Sequence, residues 1–137
     1  MGLAWSSQYE TGDVTIDNHH QELFHLVSRL DSAIFKPDEI HPIVEFLEWY
    51  VVAHFQEEET LMRKSDYTGY GHHKHEHEQF KKMVSVLREK ITKREHATKI
   101  VYSIRRLIDQ LVDHIITVDI GIASLVSKDH HASQKSS

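Results

Sequence analysis

The feature that most constrains this chain is a helical period that puts histidine on its inward side. Apolar residues recur every three to four positions through most of the 137 residues, the spacing that lines one face of an α-helix. The first predicted helix covers about residues 17–35, with Leu23, Val27, Leu30 and Ile34 inward and either Asp13 or Asp17 as its cap. Pro37 ends it, and Pro42 fits the first turn of a second helix. That helix continues to about residue 64, with Ile43, Leu47, Tyr50 and Leu61 on one side. Residues 65–71 hold two glycines and two tyrosines and read as a loop. A third helix spans about residues 72–92, with Phe80, Val84 and Leu87 inward. Residues 93–96 form a charged linker that no Gly or Pro marks. A fourth helix runs from about residue 97 to 127, with Ile100, Ile104, Leu107 and Leu111 inward.

Four helices with short connections predict an all-α fold, an antiparallel up-down-up-down four-helix bundle. Residues 1–15 lack the period and read as an extended N-terminal arm, whose Trp5 packs against the bundle. Residues 1–127 form the predicted domain. Residues 128–137 are either a polar tail or the start of a linker. The absence of cysteine excludes disulfides, a catalytic thiol, thiolate zinc sites and cysteine-held iron–sulfur clusters. The net charge of −5 argues against nucleic acid as a partner. No segment reads as an export signal, and the most apolar stretch, residues 115–126, falls short of the about 20 residues of a spanning helix. No membrane insertion and a cytoplasmic location are therefore expected.

Histidine is the outlier of the composition, at 13 residues. Each predicted helix carries it on its inward stripe: His20 on the first, His54 on the second, His73 and His77 on the third, His114 on the fourth. Residues four apart on a helix point the same way. His54/Glu58 and His73/His77 can therefore each aim two donor atoms at one small volume. Asp119 follows His114 by five residues, a turn of about 140° beyond it, so it must reach sideways, to a neighbouring helix or across a second metal. Five histidines and two carboxylates aimed into one core are costly without a compensating charge, because an unpaired buried polar group costs about 1–3 kcal/mol. Imidazole and carboxylate without sulfur suit iron, zinc or manganese. One four-coordinate zinc cannot use seven side chains. Two six-coordinate metals sharing bridging carboxylates and one bridging oxygen can, with one position left for a small molecule.

The sequence resembles the hemerythrin family, in particular bacterial hemerythrin-like domains, from Trp5 to about Asp119. Four motifs carry the likeness: Ile16-Asp17-Asn18-His19-His20 with Leu23-Phe24, His54-Phe55-Gln56-Glu57-Glu58-Glu59, His73-Lys74-His75-Glu76-His77 with Phe80, and His114-Ile115 with Asp119. The resemblance implies a non-heme di-iron centre, oxo- or hydroxo-bridged, that binds O2 reversibly. By position it implies that His73, His77 and His114 hold one iron and that His20 and His54 hold the other, which keeps the open position. Glu58 and Asp119 would bridge the two. Three positions depart from the family pattern: His19 stands where Gln is common, Gln110 where Trp is common, and Ile120-Gly121 where Lys and an aromatic residue are common.

The leading functional expectation is an O2-binding domain and not an enzyme, taking O2 and small anions at the open iron position. It would sense oxygen or redox state for a fused signalling output, such as a diguanylate cyclase or chemotaxis receptor. Stand-alone O2 storage or delivery is the alternative. A di-iron oxidase or peroxidase ranks lower, because the one Glu-x-x-His match, Glu22 to His25, lies off the ligand stripe. Gln110, one turn before His114, is expected to wet the open position and hasten oxidation, which favours sensing. His25, His41, His72, His75 and His96 fall off the stripes, His130 and His131 lie in the tail, and Glu57 and Glu59 are expected to face water.

Overall fold

The computed structural model describes residues 5–33 and 37–126. The side chain of Val27, the expected stripe residue Ile34, and residues 127–137 with His130 and His131 lie outside the described residues. The helices are α1 (Val14–Ala33), α2 (Ile40–Trp49), α3 (Phe55–Lys64), α4 (Tyr70–Thr92) and α5 (Ala97–Thr117). A wide π turn, Tyr50–His54, joins α2 to α3, so the two make one continuous rod. The four rods close a ring: α1 packs on α5 and α2, and α4 packs on α5 and on the α2–α3 rod. This is the expected four-helix bundle, and there is no strand among the described residues. Among the described residues, no helix is long and apolar enough to cross a membrane.

The stripes read from sequence are the core. Leu23, Leu30, Ile43, Leu47, Tyr50, Phe80, Val84, Leu87, Ile100, Ile104, Leu107 and Leu111 are all buried. Each such side chain contributes about 1.5–3 kcal/mol by leaving water. Leu61 is the exception. Met62 is fully buried in its place and Leu61 is half-buried. In the π turn the amide of Phe55 reaches back five residues to the carbonyl of Tyr50. Beyond it Glu58 stays inward, and Met62 follows it one α-helical turn later.

α1 begins at Val14, three residues earlier than expected, and the two candidate caps divide the work. Asp13 Oδ1 accepts from the amide of Ile16 at 3.0 Å, which makes it the cap. Asp17 instead pins the arm: its Oδ1 accepts from the amide and hydroxyl of Thr11, both at 2.8 Å, and its Oδ2 from the amide of Gly12 at 3.1 Å. Gly12 has φ +95°, and a Cβ there would sit 3.3 Å from Val126. Trp5 then packs edge-on against Phe24 (5.4 Å between centroids) and faces His20 (6.3 Å).

The unmarked break at residues 93–96 falls where expected. Arg94 takes φ 57°, its amide bonds the carbonyl of Ile91, and the amide of Glu95 bonds that of Lys90. This is the helix-ending motif that usually employs glycine. A non-glycine residue there costs roughly 1–2 kcal/mol, which two satisfied carbonyls offset. Asp66 (φ 52°) ends α3 in the same way. The fourth helix is shorter than expected. It stops at Thr117, and a 3-10 turn, Asp119–Ile122, comes next.

Candidate metal centre

The seven residues expected to bind metal all lie in the core, none more than 3% exposed. The long rods deliver six of them at helical spacing: His20 from α1, His54 from the π turn, Glu58 from α3, His73 and His77 from α4, and His114 from α5. The 3-10 turn delivers Asp119. Its backbone departs from the α-helical course at Val118 (φ −113°), so Asp119 turns back beneath His114 while also reaching across the bundle.

Each carboxylate divides its two oxygens between two groups of histidines. Glu58 Oε2 lies 3.1 Å from Nε2 of both His20 and His54, and Oε1 lies 3.1 Å from His77 Nε2 and 3.5 Å from His73 Nε2. Asp119 Oδ2 lies 3.1 Å from His20 Nε2, and Oδ1 lies 2.7 Å from His73 Nε2 and 3.0 Å from His114 Nε2. Two compact donor sets result, Glu58/His73/His77/His114/Asp119 and His20/His54/Glu58/Asp119, each with all its donor atoms within 4.8 Å of one another.

This arrangement fits metal better than hydrogen bonding. Among the described residues, seven buried polar side-chain atoms have no hydrogen-bond partner, including Glu58 Oε1, His77 Nε2 and both oxygens of Asp119. Buried acceptors of this kind need a cation, a metal or a proton, to face them. The spacing also matches: an ion with octahedral bonds of about 2.1 Å holds adjacent donor atoms about 3 Å apart.

Without metal, protons fill the centre. Burial opposes charge on His20 and His73, but the Asp119 and Glu58 carboxylates outweigh it and raise each from 6.5 to about 10. His114 is raised for the same reason, chiefly by Asp119. Burial pushes both carboxylates up. The surrounding histidines prevail and hold Glu58 and Asp119 well below their usual range. Metal entry therefore displaces protons.

A collar of aromatic rings and a second layer of polar groups surround the donors. Phe55 stacks on His77 at 3.7 Å, Tyr50 stacks on His54 at 4.3 Å, and Phe80 meets His114 edge-on at 5.3 Å. Behind the rings, His77 Nδ1 is 2.9 Å from Glu59, His114 Nδ1 is 3.4 Å from Glu76, and His54 Nδ1 is 2.9 Å from His19 Nδ1. Glu59 is thus buried and does not face water as expected, whereas Glu57 does. Sequence reasoning missed these three as partners of the donor histidines, yet one signal marks them. Each directly adjoins a donor in the chain, so it points about 100° around the helix, towards the flank of a donor on the neighbouring rod.

His25, His41, His72, His75 and His96 are all exposed. His72 pairs with Glu76 at 3.0 Å, and His96 caps α5 by accepting from the amide of Thr98. Gln110 is exposed in a groove of about 580 Å³ between α4 and α5, beside Glu76 and His114. It flanks the three-histidine set, not the His20/His54 set whose open position it was expected to wet.

Residues 11–119 match the family model described as the hemerythrin HHE cation binding domain. The chain is similar to a bacteriohemerythrin of Methylococcus capsulatus, 32% identical over 123 residues, covering 85% of this chain and 91% of that one. It is also similar to a bacteriohemerythrin of Clostridium acetobutylicum, 29% identical, covering 84% of this chain and 88% of that one. A bacteriohemerythrin of Pseudomonas aeruginosa is 34% identical over 88 residues, 63% of this chain and 58% of that one. No solved structure matches.

Proposed function

The chain belongs to the hemerythrin family, and on that premise we propose that it binds O2 reversibly at a di-iron centre and acts in the cytoplasm as an oxygen- or redox-sensing domain of a larger bacterial signalling protein. In this reading His73, His77 and His114 hold one iron, His20 and His54 hold the other, and Glu58 and Asp119 bridge them. The observation that carries it is the division of both carboxylates, one oxygen to each histidine group. Ferrous ions held by these residues would supply the electrons on which O2 uptake draws.

The chain's own residues do the rest. Two buried carboxylates offset much of the charge of two divalent ions. The set with His20 and His54 offers four donor residues against five in the other, so the small-molecule seat falls to it. Trp5, Tyr50, Phe55 and Phe80 wall the donors from water.

The position of Asp119 supports sensing over storage. It is the one bridging residue on a short non-α turn, and that turn leads directly into the C-terminal segment. On the sensing reading, a shift at the bridge would be passed to that segment. On this reading residues 1–127 are the sensing domain and 128–137 lead to an output module. Stand-alone storage is the competing reading.

Metal analysis and a visible spectrum, taken reduced and then aerated, test the binding reading. Two irons per chain and a spectrum that reverses on removing O2 are expected. One zinc, or no metal from iron-replete cells, overturns it. Hydrogen exchange across residues 119–126 in the reduced and aerated forms tests the sensing reading, and equal protection in both assigns the chain to storage.

A further inference from the structure

His77 is held from three sides. Its ring lies flat on Phe55, with 3.7 Å between centroids and 5° between planes. Its Nε2 faces Glu58 Oε1 at 3.1 Å and has no hydrogen-bond partner. Its Nδ1 faces Glu59 Oε2 at 2.9 Å. Stacking sets the plane of the ring but not its spin. Turned over within the same plane, the ring would present carbon where Nε2 now stands. The Glu59 contact removes that freedom, because the carboxylate accepts a hydrogen bond only from Nδ1–H. A proton fixed on Nδ1 also leaves Nε2 bare, the form a metal requires.

Glu59 is a carboxylate only 9% exposed, one residue from the fully buried Glu58. Two such charges side by side are unfavourable unless something in the core is cationic. A metal on His77 provides this, since it draws electron density from the ring and strengthens Nδ1–H as a donor. His54, in the other donor set, has the neutral ring of His19 at the equivalent place.

We infer that Glu59 is a positioning residue of the metal centre: it locks the ring and tautomer of His77 and adds a negative charge behind the three-histidine iron. This inference rests on the di-iron reading above. Outer carboxylates of this kind are worth about 10–100-fold in metal affinity.

The test is anaerobic ferrous iron competed against a chromophoric chelator, with the visible spectrum of the loaded protein, for wild type, Glu59→Leu and Glu59→Gln. Glu59→Leu is expected to bind iron about 10–100-fold more weakly and to shift the spectrum. Glu59→Gln keeps an acceptor for Nδ1–H and is expected to recover the spectrum and part of the affinity. Melting of the metal-free variants separates this from a role in folding alone, because removing a buried carboxylate leaves the metal-free fold as stable or more so. Wild-type affinity and spectrum in Glu59→Leu overturn the inference alone. Lost affinity that merely tracks a destabilised metal-free fold, with no rescue by Glu59→Gln, overturns it as well. A wild type that takes up no iron overturns the di-iron reading and this inference together.

Discussion

His114 Nε2 and Asp119 Oδ1 lie 3.0 Å apart although they stand five positions apart in the chain. An uninterrupted helix would set their side chains about 140° apart. The helix ends at Thr117, Val118 leaves the α-helical course, and the 3-10 turn swings Asp119 back under His114 and across to His20 and His73. One carboxylate so placed touches donors from α1, α4 and α5.

Asp119→Asn keeps the size of the side chain and removes its charge. The amide is a poor bridge, and His20, His73 and His114 lose the carboxylate that raises them. Iron per chain should fall to half of wild type or less. The pH at which the metal-free centre takes up protons should fall as well. Elemental analysis and an NMR titration of the histidines check both.

His77→Ala removes a donor from the three-histidine set. A metal that binds only the folded chain stabilises it by about 2.7 kcal/mol at a hundredfold excess over its Kd, or roughly 5–10 °C in Tm for a domain of this size. That gap between loaded and chelated protein should open in wild type and close in His77→Ala. His25→Ala and His41→Ala, at exposed positions, should keep both the gap and the iron spectrum.

The metal-free chain should be most stable between about pH 4.5 and 6.5. His20 and His73 are raised from 6.5 to about 10 on folding. Their contribution is complete below pH 6.5 and is lost as pH rises towards 10. Glu58 and Asp119 are lowered from 4.5 and 3.8, so theirs is present above those values and lost as pH falls below them. Iron competes with the same protons, so its affinity should rise with pH over the range in which the metal-free fold weakens. Denaturant melts of the chelated protein from pH 4 to 9, beside iron titrations, test the pair of trends.

Trp5→Ala uncovers the His20 side of the centre, while Gln110→Trp alters a groove beside His114. If water reaches the seat past Trp5, the aerated protein should lose its visible spectrum several-fold faster in Trp5→Ala. Gln110→Trp should match wild type. A slower decay in Gln110→Trp would restore the wetting role read from the sequence.

The sequence by itself determined the four rods, most of their inward stripes and the placing of six of the seven expected metal-binding residues on them. Each of these depends on spacing within one helix, and a 3.6-residue period written in Leu, Ile, His and Glu is legible one segment at a time. Even the unmarked break at residues 93–96 was legible, from charge and the loss of period. Only the tertiary structure decided the rest. Packing chose Met62 over Leu61 for the core, and the 3-10 turn re-aimed Asp119. Glu59, Glu76 and His19 gained their contacts from histidines on neighbouring rods, and packing set Gln110 in a groove beside His114. The physical reason is common to all of these. A side chain's direction along its own helix is set by local backbone geometry, but the group that stands opposite depends on how the rods pack. Where packing brings buried charges together, the backbone departs from the regular helix to serve them.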